Sequence, residues 1–435
     1  MKLKTILPAM LALVLSVSLC GCNSDMAARE TDAIGDVYTD TAETDAGSAS
    51  DTEAETEEIT SVPAETEPLA PETETDPPAP VILRASFAAA GDAIVHEGIW
   101  MEAQKTARLA GLGEEYDFSH LFTRVRDDIL AYDIAFINQE TLMAGPEYGY
   151  SAYPCFNTPR ELAYALEDVG FDVVNIANNH MMDMQPKGLA ATIDFWDTQP
   201  VTLIGGYKNQ EDYFTPRVVE RNGIRVAFLS YCYGTNSGLP MPAGYDLVIP
   251  CLDEDVVSAQ TAAAREIADF VVVSVHWGED SVQALMPQQK QFAQIFADCG
   301  VDVVIGHHPH LIQPVEWIEG KDGTRTLCAY SLGNFFSLMP KAENMVGGLL
   351  SLDFVKEDGA CRLENVRFLP TVFYYNLGFF GQKIYYQQDY TEALAAKHGV
   401  QNYAVKNNKT AAQLLAYTRG LIAEEFLPAA ILEMP

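Results

Sequence analysis

Three histidines stand within four positions of one another, directly after a short apolar segment. Residues 301–305 are rich in β-branched side chains, Gly306 follows them, and His307, His308 and His310 come next. Such an apolar run predicts a buried strand, and imidazole is a common ligand of Zn, Fe and Ni. We interpret this stretch as one wall of a metal site. The alternative is a histidine-rich loop that only hydrogen-bonds its neighbours, because short motifs often match by chance.

Four other polar clusters follow apolar runs in the same way: Asp92, Asn138 with Glu140, Asn179 with His180, and His276. In open α/β sheets, ligands bind beyond the carboxyl ends of the strands, so this placement predicts that all five clusters meet at one edge. Each cluster alone has a simpler explanation, since an Asp or Asn often caps a turn and a buried histidine is often a hydrogen-bonded core residue. Because the arrangement recurs five times, we favour a shared site.

Strands and helices alternate from residue 81 onward. The predicted strands cover residues 82–90, 133–137, 171–177, 201–204, 217–220, 224–231, 270–275, 301–305, 347–355 and 361–370. The predicted helices cover residues 118–131, 185–196, 255–268, 287–299 and 410–426, and one more begins at Thr158 as N-cap and ends at Gly170. This alternation predicts an α/β fold.

The first 22 residues have the pattern of a bacterial lipoprotein signal. Lys2 and Lys4 form a short basic segment, residues 6–19 are apolar, and Gly21 precedes Cys22. We therefore predict that Cys22 is lipidated and becomes the first residue of the mature protein, which places the protein outside the cytoplasm, anchored to the cell membrane. An ordinary signal peptide or an uncleaved anchor are the alternatives.

An acidic segment separates this signal from the folded part. Residues 23–80 contain 17 acidic residues and one basic residue, Arg29, among many Thr, Ala and Pro. Such a composition cannot bury enough apolar surface to fold, so we predict a disordered linker. The remaining residues, 81–435, carry a net charge of −20. An acidic folded part argues against a nucleic-acid partner, and an anionic substrate would need the local charge of a metal ion.

Six cysteines lie beyond the leader, at widely spaced positions and without a C-x-x-C pair: Cys155, Cys232, Cys251, Cys299, Cys328 and Cys361. An exported protein permits disulfides, but the spacing and the apolar surroundings of Cys299 and Cys328 are typical of core cysteines. We predict no particular bridge from the sequence.

Taken together, six motifs resemble, in order and spacing, those of the CapA-type poly-γ-glutamate capsule synthesis family. The motifs are Gly91-Asp92, Asn138-x-Glu140, Ala177-Asn178-Asn179-His180, His276-Trp277-Gly278-x-Asp280, Gly306-His307-His308-Pro309-His310 and Tyr330-Ser331-Leu332-Gly333-Asn334-Phe335. The resemblance implies a metallophosphatase-like (calcineurin-like) α/β/β/α sandwich around a dinuclear metal centre. We expect residues 81–340 to form this domain, and residues 341–435 to complete it or to be appended to it.

The resemblance also implies roles for individual residues. The metal ligands would be Asp92, Glu140, Asn179, His276, His308 and His310, with Glu140 as a bridging carboxylate. His180 would be the catalytic proton donor to the substrate or leaving group. Further candidates are His96, Asn138 and His307, and Asp183, Glu316 or Asn334 would support the ligands. The cofactors implied are two divalent ions of Mn, Zn or Fe.

The sequence departs from the phosphoesterase pattern at two places. Those enzymes usually carry a histidine two residues after the first aspartate, whereas Ile94 stands there and His96 lies four residues after Asp92. The second motif has Asn138 and Glu140 in place of paired aspartates. Both departures concern the second metal position.

The function implied is the synthesis or handling of poly-γ-glutamate or another capsule or envelope polymer, through metal-dependent hydrolysis of a phosphoester or amide bond. The partners implied are the anionic polymer or its precursor, the membrane and other capsule-synthesis proteins. A non-catalytic polymer-binding or assembly protein on the same fold is the first alternative. Glycoside hydrolysis by Glu140, Glu279 and Asp280 is the second, but it leaves the histidines unexplained.

Overall fold

Two β-sheets, packed face to face with helices outside them, form the framework of the chain. The computed structural model describes residues 81–111, 113–404 and 407–435. The predicted leader, its Cys22 and the acidic linker lie outside the described residues. Within them, the structure confirms the predicted α/β sandwich of two sheets.

The strands, in chain order, are β1 Ile82–Ala93, β2 Ile134–Gln139, β3 Val173–Asn175, β4 Thr202–Ile204, β5 Arg217–Arg221, β6 Ile224–Cys232, β7 Phe270–His276, β8 Val303–His307, β9 Val315–Glu319, β10 Arg325–Ala329, β11 Asn334–Phe336, β12 Val346–Glu357, β13 Ala360–Tyr374 and β14 Lys383–Tyr386. The helices are α1 Glu97–Ala110, α2 Arg126–Ile129, α3 Glu161–Val169, α4 Gln185–Trp196, α5 Gln210–Tyr213, α6 Glu254–Ile267, α7 Pro287–Asp298, α8 Glu392–Ala395, α9 Ala411–Leu421 and α10 Ala429–Leu432.

The first sheet has the strand order β14-β13-β12-β1-β2-β3-β4, and β11 pairs with the end of β1. Strands β1 to β4 are parallel, whereas β12 runs antiparallel to β1 from Ile82 opposite Glu357 to Ala90 opposite Leu349. The strands that follow residue 340 are therefore an integral part of this sheet. The second sheet has the order β5-β6-β7-β8-β10-β9, with β6, β7, β8 and β10 parallel.

Strand β6 shows how the layers are built. Its side chains alternate, so that Val226 and Phe228 face the first sheet, whereas Ala227 and Leu229 pack with helices α6 and α7. Between the sheets, the rings of Phe270 and Phe354 lie 4.7 Å apart. One face of β6 is covered by the first sheet and the other by helices. A parallel strand that is buried on both faces in this way has a continuous apolar sequence.

Helix ends follow the local sequence in several places. Asp253 caps α6 by accepting a hydrogen bond from the Val256 amide, and Pro287 occupies the first turn of α7. Thr410 and Gln413 form a capping box that begins α9. Among the described residues, none of the helices combines the length and apolar character that a bilayer span requires.

Three predicted helices differ from the structure, and the one predicted at residues 410–426 ends at Leu421. Residues 118–131 form a single turn and the short α2, because the backbone of Val125 leaves the helical region at φ −123°. The apolar side chains still reach the core, so their spacing alone suggested a continuous helix. The predicted N-cap Thr158 instead donates its hydroxyl to Thr141 at 2.8 Å, and α3 begins at Glu161. Helix α1 was not predicted.

Candidate metal centre

The polar clusters of the sequence meet at the carboxyl ends of strands from both sheets. Strands β1, β2 and β3 bring Asp92, Glu140 and Asn179 from the first sheet, and β7 and β8 bring His276 and His308 from the second. The sequence-predicted ligands and His180 are all buried, and most line one cleft. The shared edge thus brings together residues that lie up to 218 positions apart in the chain.

Glu140 is the centre of this arrangement. Its side chain is 1% exposed, and neither of its carboxylate oxygens has a hydrogen-bond partner among the described residues. An unpartnered buried carboxylate is costly unless a cation or a donor compensates it. Burial raises the pKa of the Glu140 carboxyl well above its usual value, in spite of the nearby charge of His310.

Three imidazoles point their Nε2 atoms at Glu140. The distances to its Oε1 atom are 3.7 Å from His310, 3.9 Å from His276 and 4.0 Å from His180. Nitrogen and oxygen atoms at such separations are too far apart for hydrogen bonds. His310 and His276 each lie close enough to share an ion with Glu140.

Two groups of side chains could hold a cation. Glu140, His308 and His310 form one group, and Asp92, Glu140 and His276 form the other, with the ligand atoms in each group within 4.8 Å of one another. Glu140 belongs to both groups. The Nδ1 atoms of His276 and His308 are also buried and without a partner in the described part of the chain. Zn, Mn and Fe all bind carboxylate oxygens and imidazole nitrogens. The unpartnered oxygen and nitrogen atoms of this site therefore fit one of these metals as ligands.

Burial keeps two of the imidazoles neutral. It lowers the pKa of His308 to about 3 and that of His276 well below its usual value. Neutral imidazole is the form that binds metals. His310 differs: burial by itself lowers its pKa, but the carboxylates of Glu140 and Asp92 raise it to about 10. A proton on His310 thus compensates the carboxylates where a metal ion would do so.

Asp92 accepts four hydrogen bonds. Its Oδ1 accepts from Asn138 Nδ2 at 2.8 Å and from His307 Nδ1 at 3.0 Å, and its Oδ2 accepts from His310 Nδ1 at 3.2 Å and the His308 amide at 3.3 Å. Burial opposes ionisation of Asp92, but the bonds from His307 and His310 outweigh it and hold the carboxyl pKa well below its usual value. Asp92 therefore orients histidines as well as standing within reach of a cation.

A chain of hydrogen bonds leads from the second sheet back to Asp92. Ser230 in β6 donates to Asn175 Oδ1 at 2.5 Å, Asn175 donates to Asn138 Oδ1 at 2.7 Å, and Asn138 donates to Asp92. Each amide is both donor and acceptor, so the direction of every bond is fixed. The network joins β6, β3, β2 and β1 beneath the site.

Asn179 and His180 are held from two sides. Asn179 Oδ1 accepts from His276 Nε2 at 2.8 Å, and its amide nitrogen donates to Asn236 Oδ1 at 3.0 Å. His180 Nδ1 lies 2.7 Å from Asp183 Oδ2, and that oxygen also accepts from the Phe156 amide at 2.7 Å. Asp183 thus fixes the ring so that Nε2 faces the cleft.

The backbone around the histidines is unusual. His308 and His310 have φ values of 96° and 54°, which turns both rings toward Glu140. Gly306 permits a close approach of two strands, since a Cβ there would lie 1.9 Å from the Tyr330 carbonyl oxygen. The conformation of residues 306–310 is therefore set by packing against Tyr330 and not by the backbone preferences of the residues themselves.

The remaining candidates occupy different places. His96 lines the cleft and its Nδ1 accepts from the Leu338 amide at 3.2 Å, whereas His307 lies beneath Asp92 and stacks on Phe136. Asn334 Oδ1 contacts His310 Nδ1 at 3.0 Å, so it supports a candidate ligand. Glu316 lies in a separate surface pocket with Lys290.

Tyr233 and Asn236 are among the residues of the cleft that were not predicted from the sequence. Tyr233 packs its ring 4.8 Å from that of His308, and Asn236 contacts both Asn179 and His180. Both residues lie just beyond the carboxyl end of β6. Since ligands bind beyond the carboxyl ends of strands, the reasoning that located the other clusters would also have located these two residues.

Residues 86–338 match the family model described as "Bacterial capsule synthesis protein PGA_cap". The chain is 32% identical over 179 residues to the PGA biosynthesis protein CapA of Bacillus subtilis (strain 168), covering 41% of this chain and 46% of that protein. It is 33% identical over 183 residues to the capsule biosynthesis protein CapA of Bacillus anthracis, covering 40% and 42%. The chain thus spans less than half the length of either relative.

Among solved structures, the chain is similar to a novel phosphatase from Mycoplasma pneumoniae, with a TM-score of 0.41 and 12% identity over 67% of this chain and 95% of that one. It is also similar to the NAD nucleotidase of Haemophilus influenzae, with a TM-score of 0.38 and 9% identity over 67% and 52% of the two chains.

Proposed function

This chain belongs to the bacterial capsule synthesis protein family PGA_cap, and from that premise we propose that it is a metal-dependent hydrolase. It acts in the synthesis or handling of poly-γ-glutamate or another anionic envelope polymer. The bond it cleaves is a phosphoester or an amide.

The observation that carries the proposal is the pair of orphaned oxygens on Glu140. A buried carboxylate without donors, shared by two groups of imidazole and carboxylate ligands, has no structural benefit on its own. A pair of divalent ions would compensate it, one held by Glu140, His308 and His310 and the other by Asp92, Glu140 and His276. Asn179 would complete the ligands beside His276.

Bound metal ions supply an activated water and neutralise negative charge on the substrate. The chain itself supplies proton transfer and positioning. Asp183 accepts a hydrogen bond from Nδ1 of His180, which leaves Nε2 as the atom that gives a proton to the leaving group. Asn236 holds the Asn179 side chain and approaches His180 Nδ1 at 3.4 Å, so it keeps both groups in place.

The walls of the cleft suit a polymer with polar and apolar parts. Tyr153, Phe156, Tyr233 and Met339 line the cleft beside the ligands. The folded part is acidic overall, with a net charge of −20 over residues 81–435. An anionic polymer would therefore be attracted only where metal charge offsets the acidic surroundings.

The proposed location is the outer face of the cell membrane, with Cys22 as the lipidated residue and residues 23–80 as a tether. The lipoprotein pattern of the leader supports this location. In cells, Cys22→Ala should move the protein from the membrane fraction to the soluble fraction. A membrane-bound Cys22→Ala protein would point to an uncleaved anchor instead.

The decisive experiment measures metal content and chelator-sensitive hydrolysis on residues 81–435. Phosphomonoester, phosphodiester and γ-glutamyl amide substrates cover the bonds at issue. We expect about two metal ions per chain, and His180→Ala should lose hydrolysis while it retains metal. His120, a histidine beside Glu102 and outside the cleft, gives the control His120→Gln. If no preparation of the protein contained metal, the result would favour a non-catalytic assembly or polymer-binding role.

A further inference from the structure

Two cysteines face each other beside the cleft. Cys232 ends β6, and Cys251 lies opposite it in an isolated parallel bridge. Backbone hydrogen bonds on both sides fix this pairing, since the Cys232 amide donates to the Pro250 carbonyl at 2.8 Å and the Leu252 amide donates to the Cys232 carbonyl at 2.9 Å. Neighbouring strands lie about 4.7–4.9 Å apart, which is within the range of Cα separations that a disulfide spans.

The two paired cysteines differ in burial. Cys232 is buried and Cys251 is exposed, and both are free thiols in the structure. The neighbouring Cys232 thiol lowers the pKa of Cys251 to about 7, and Cys251 together with burial raises the pKa of Cys232 well above its usual value. Cys251 is thus the exposed member whose thiolate is accessible, and Cys232 is the partner held against it.

The segment between the two cysteines belongs to the cleft. Residues 233–250 form a loop of 18 residues, and its first part carries Tyr233 and Asn236. Asn236 also donates its amide to the Asn179 carbonyl at 2.8 Å. Farther along, the loop is exposed, and Leu239 is 71% exposed to solvent. The loop therefore touches the site at one end, while its two ends meet at the cysteine pair.

We propose that Cys232 and Cys251 form a disulfide that closes residues 233–250 into a covalent ring beside the metal centre. The oxidising surroundings it needs follow from the proposed export of the chain. The ring would hold Tyr233 and Asn236 against the candidate ligands by limiting the freedom of the loop's ends.

The reaction is thiol–disulfide exchange with an external disulfide, either a small molecule or a protein oxidant. The Cys251 thiolate attacks one sulfur of that disulfide and releases one thiolate, which gives a mixed disulfide. The Cys232 sulfur then attacks Cys251, its proton passes to the second departing thiolate, and the internal bond forms. Two protein thiols are oxidised and one external disulfide is reduced to two thiols.

The test is redox equilibration of the folded chain, metal-free, with mixtures of oxidised and reduced glutathione. Remaining thiols are alkylated, and peptides are mapped by mass spectrometry. We expect a Cys232–Cys251 linked peptide, with Cys155 and Cys361 alkylated as exposed reference cysteines. Oxidation should raise the melting temperature by about 5 °C, because a ring of this length restricts the unfolded chain.

Two variants separate the proposal from general oxidation. Cys251→Ser should abolish the linked peptide and the rise in melting temperature, whereas Cys361→Ser, at another exposed cysteine, should retain both. Glutathione found on Cys251 without any internal bond, under excess oxidised glutathione, would overturn the proposal. So would an equal rise in melting temperature in Cys251→Ser. These readouts require neither metal nor hydrolysis, so they are independent of the proposed activity.

Discussion

Asp183 holds His180 by a 2.7 Å contact between Oδ2 and Nδ1, while Nε2 of the same ring lies 4.0 Å from Glu140 Oε1. One side of the imidazole is therefore occupied by a fixed carboxylate, and the other faces the candidate ligands. Since the Phe156 amide also donates to Asp183, the carboxylate cannot rotate away without losing a second bond.

Asp183→Asn should reduce kcat by about 10- to 100-fold, because a partner that orients an active group contributes about that much. KM and metal content should remain unchanged, and Asp183→Glu should restore part of the rate. Steady-state kinetics together with elemental analysis check this. An unchanged kcat would remove Asp183 from the proton-transfer arrangement.

Glu140→Gln should abolish metal binding and yet stabilise the metal-free protein. The amide removes a buried negative charge that no hydrogen-bond donor among the described residues compensates. Melting curves with and without added Zn²⁺ or Mn²⁺ check both effects: the variant should melt higher without metal and show no shift with metal. Glu279→Gln, at an exposed position near the cleft, should behave like the unaltered protein.

Asn138→Ala should lower the free energy of unfolding by about 2–3 kcal/mol, since it removes the bond that Asn138 accepts from Asn175 Nδ2 and the bond that it donates to Asp92 Oδ1. Urea denaturation measures the loss. Ser230→Ala lies at the far end of the same network, so the double variant should lose less than the sum of the two single variants. Strict additivity would show that the network does not act as a unit.

Asp269→Asn should remove a pH-dependent part of the stability. Lys356 and the Arg225 amide bind the Asp269 carboxylate at 2.7 and 2.9 Å and, against the effect of burial, lower its pKa. Because the folded pKa lies below the unfolded value, the unfolded state binds the proton more readily. The stabilisation is present above the unfolded pKa of about 4 and is lost as the pH falls through the lower folded value.

Unfolding of the parent and of Asp269→Asn should therefore be compared between pH 7 and pH 2. At pH 7 the parent should be more stable by about 1.5–3 kcal/mol, the usual size of a hydrogen bond to a charged group, and the difference should shrink in acid. A constant difference across this range would contradict the assignment.

Gly306→Ala should prevent stable folding or lower the melting temperature strongly, because its Cβ would collide with the Tyr330 carbonyl. Gly420→Ala is the matched control. It lies in α9 with no atom within 4 Å of a new Cβ, so alanine should stabilise the helix by about 0.5–1 kcal/mol. Melting curves should thus shift in opposite directions for the same chemical change.

The sequence by itself determined the α/β class and most strands, because burial on both faces of a parallel strand produces a continuous apolar run. It also placed Asp92, Glu140, Asn179, His276 and the histidine cluster at strand ends, since a strand's end is a local property of the chain. The family followed from the same motifs. The length of the helix predicted at residues 118–131 was wrong, because apolar spacing records which side chains are buried and not whether the backbone stays helical.

Only the tertiary structure decided which of these side chains meet, and how. Asp92 and His307 are 215 positions apart, and their contact depends on how one sheet packs against the other. The orphaned oxygens of Glu140 and the bonds from His307 and His310 to Asp92 depend on the same packing. The pairing of Cys232 with Cys251 depends on the path of the loop between them. Periodicity along the chain gives the direction of a side chain within its own strand, but not the distance to a strand of the opposite sheet.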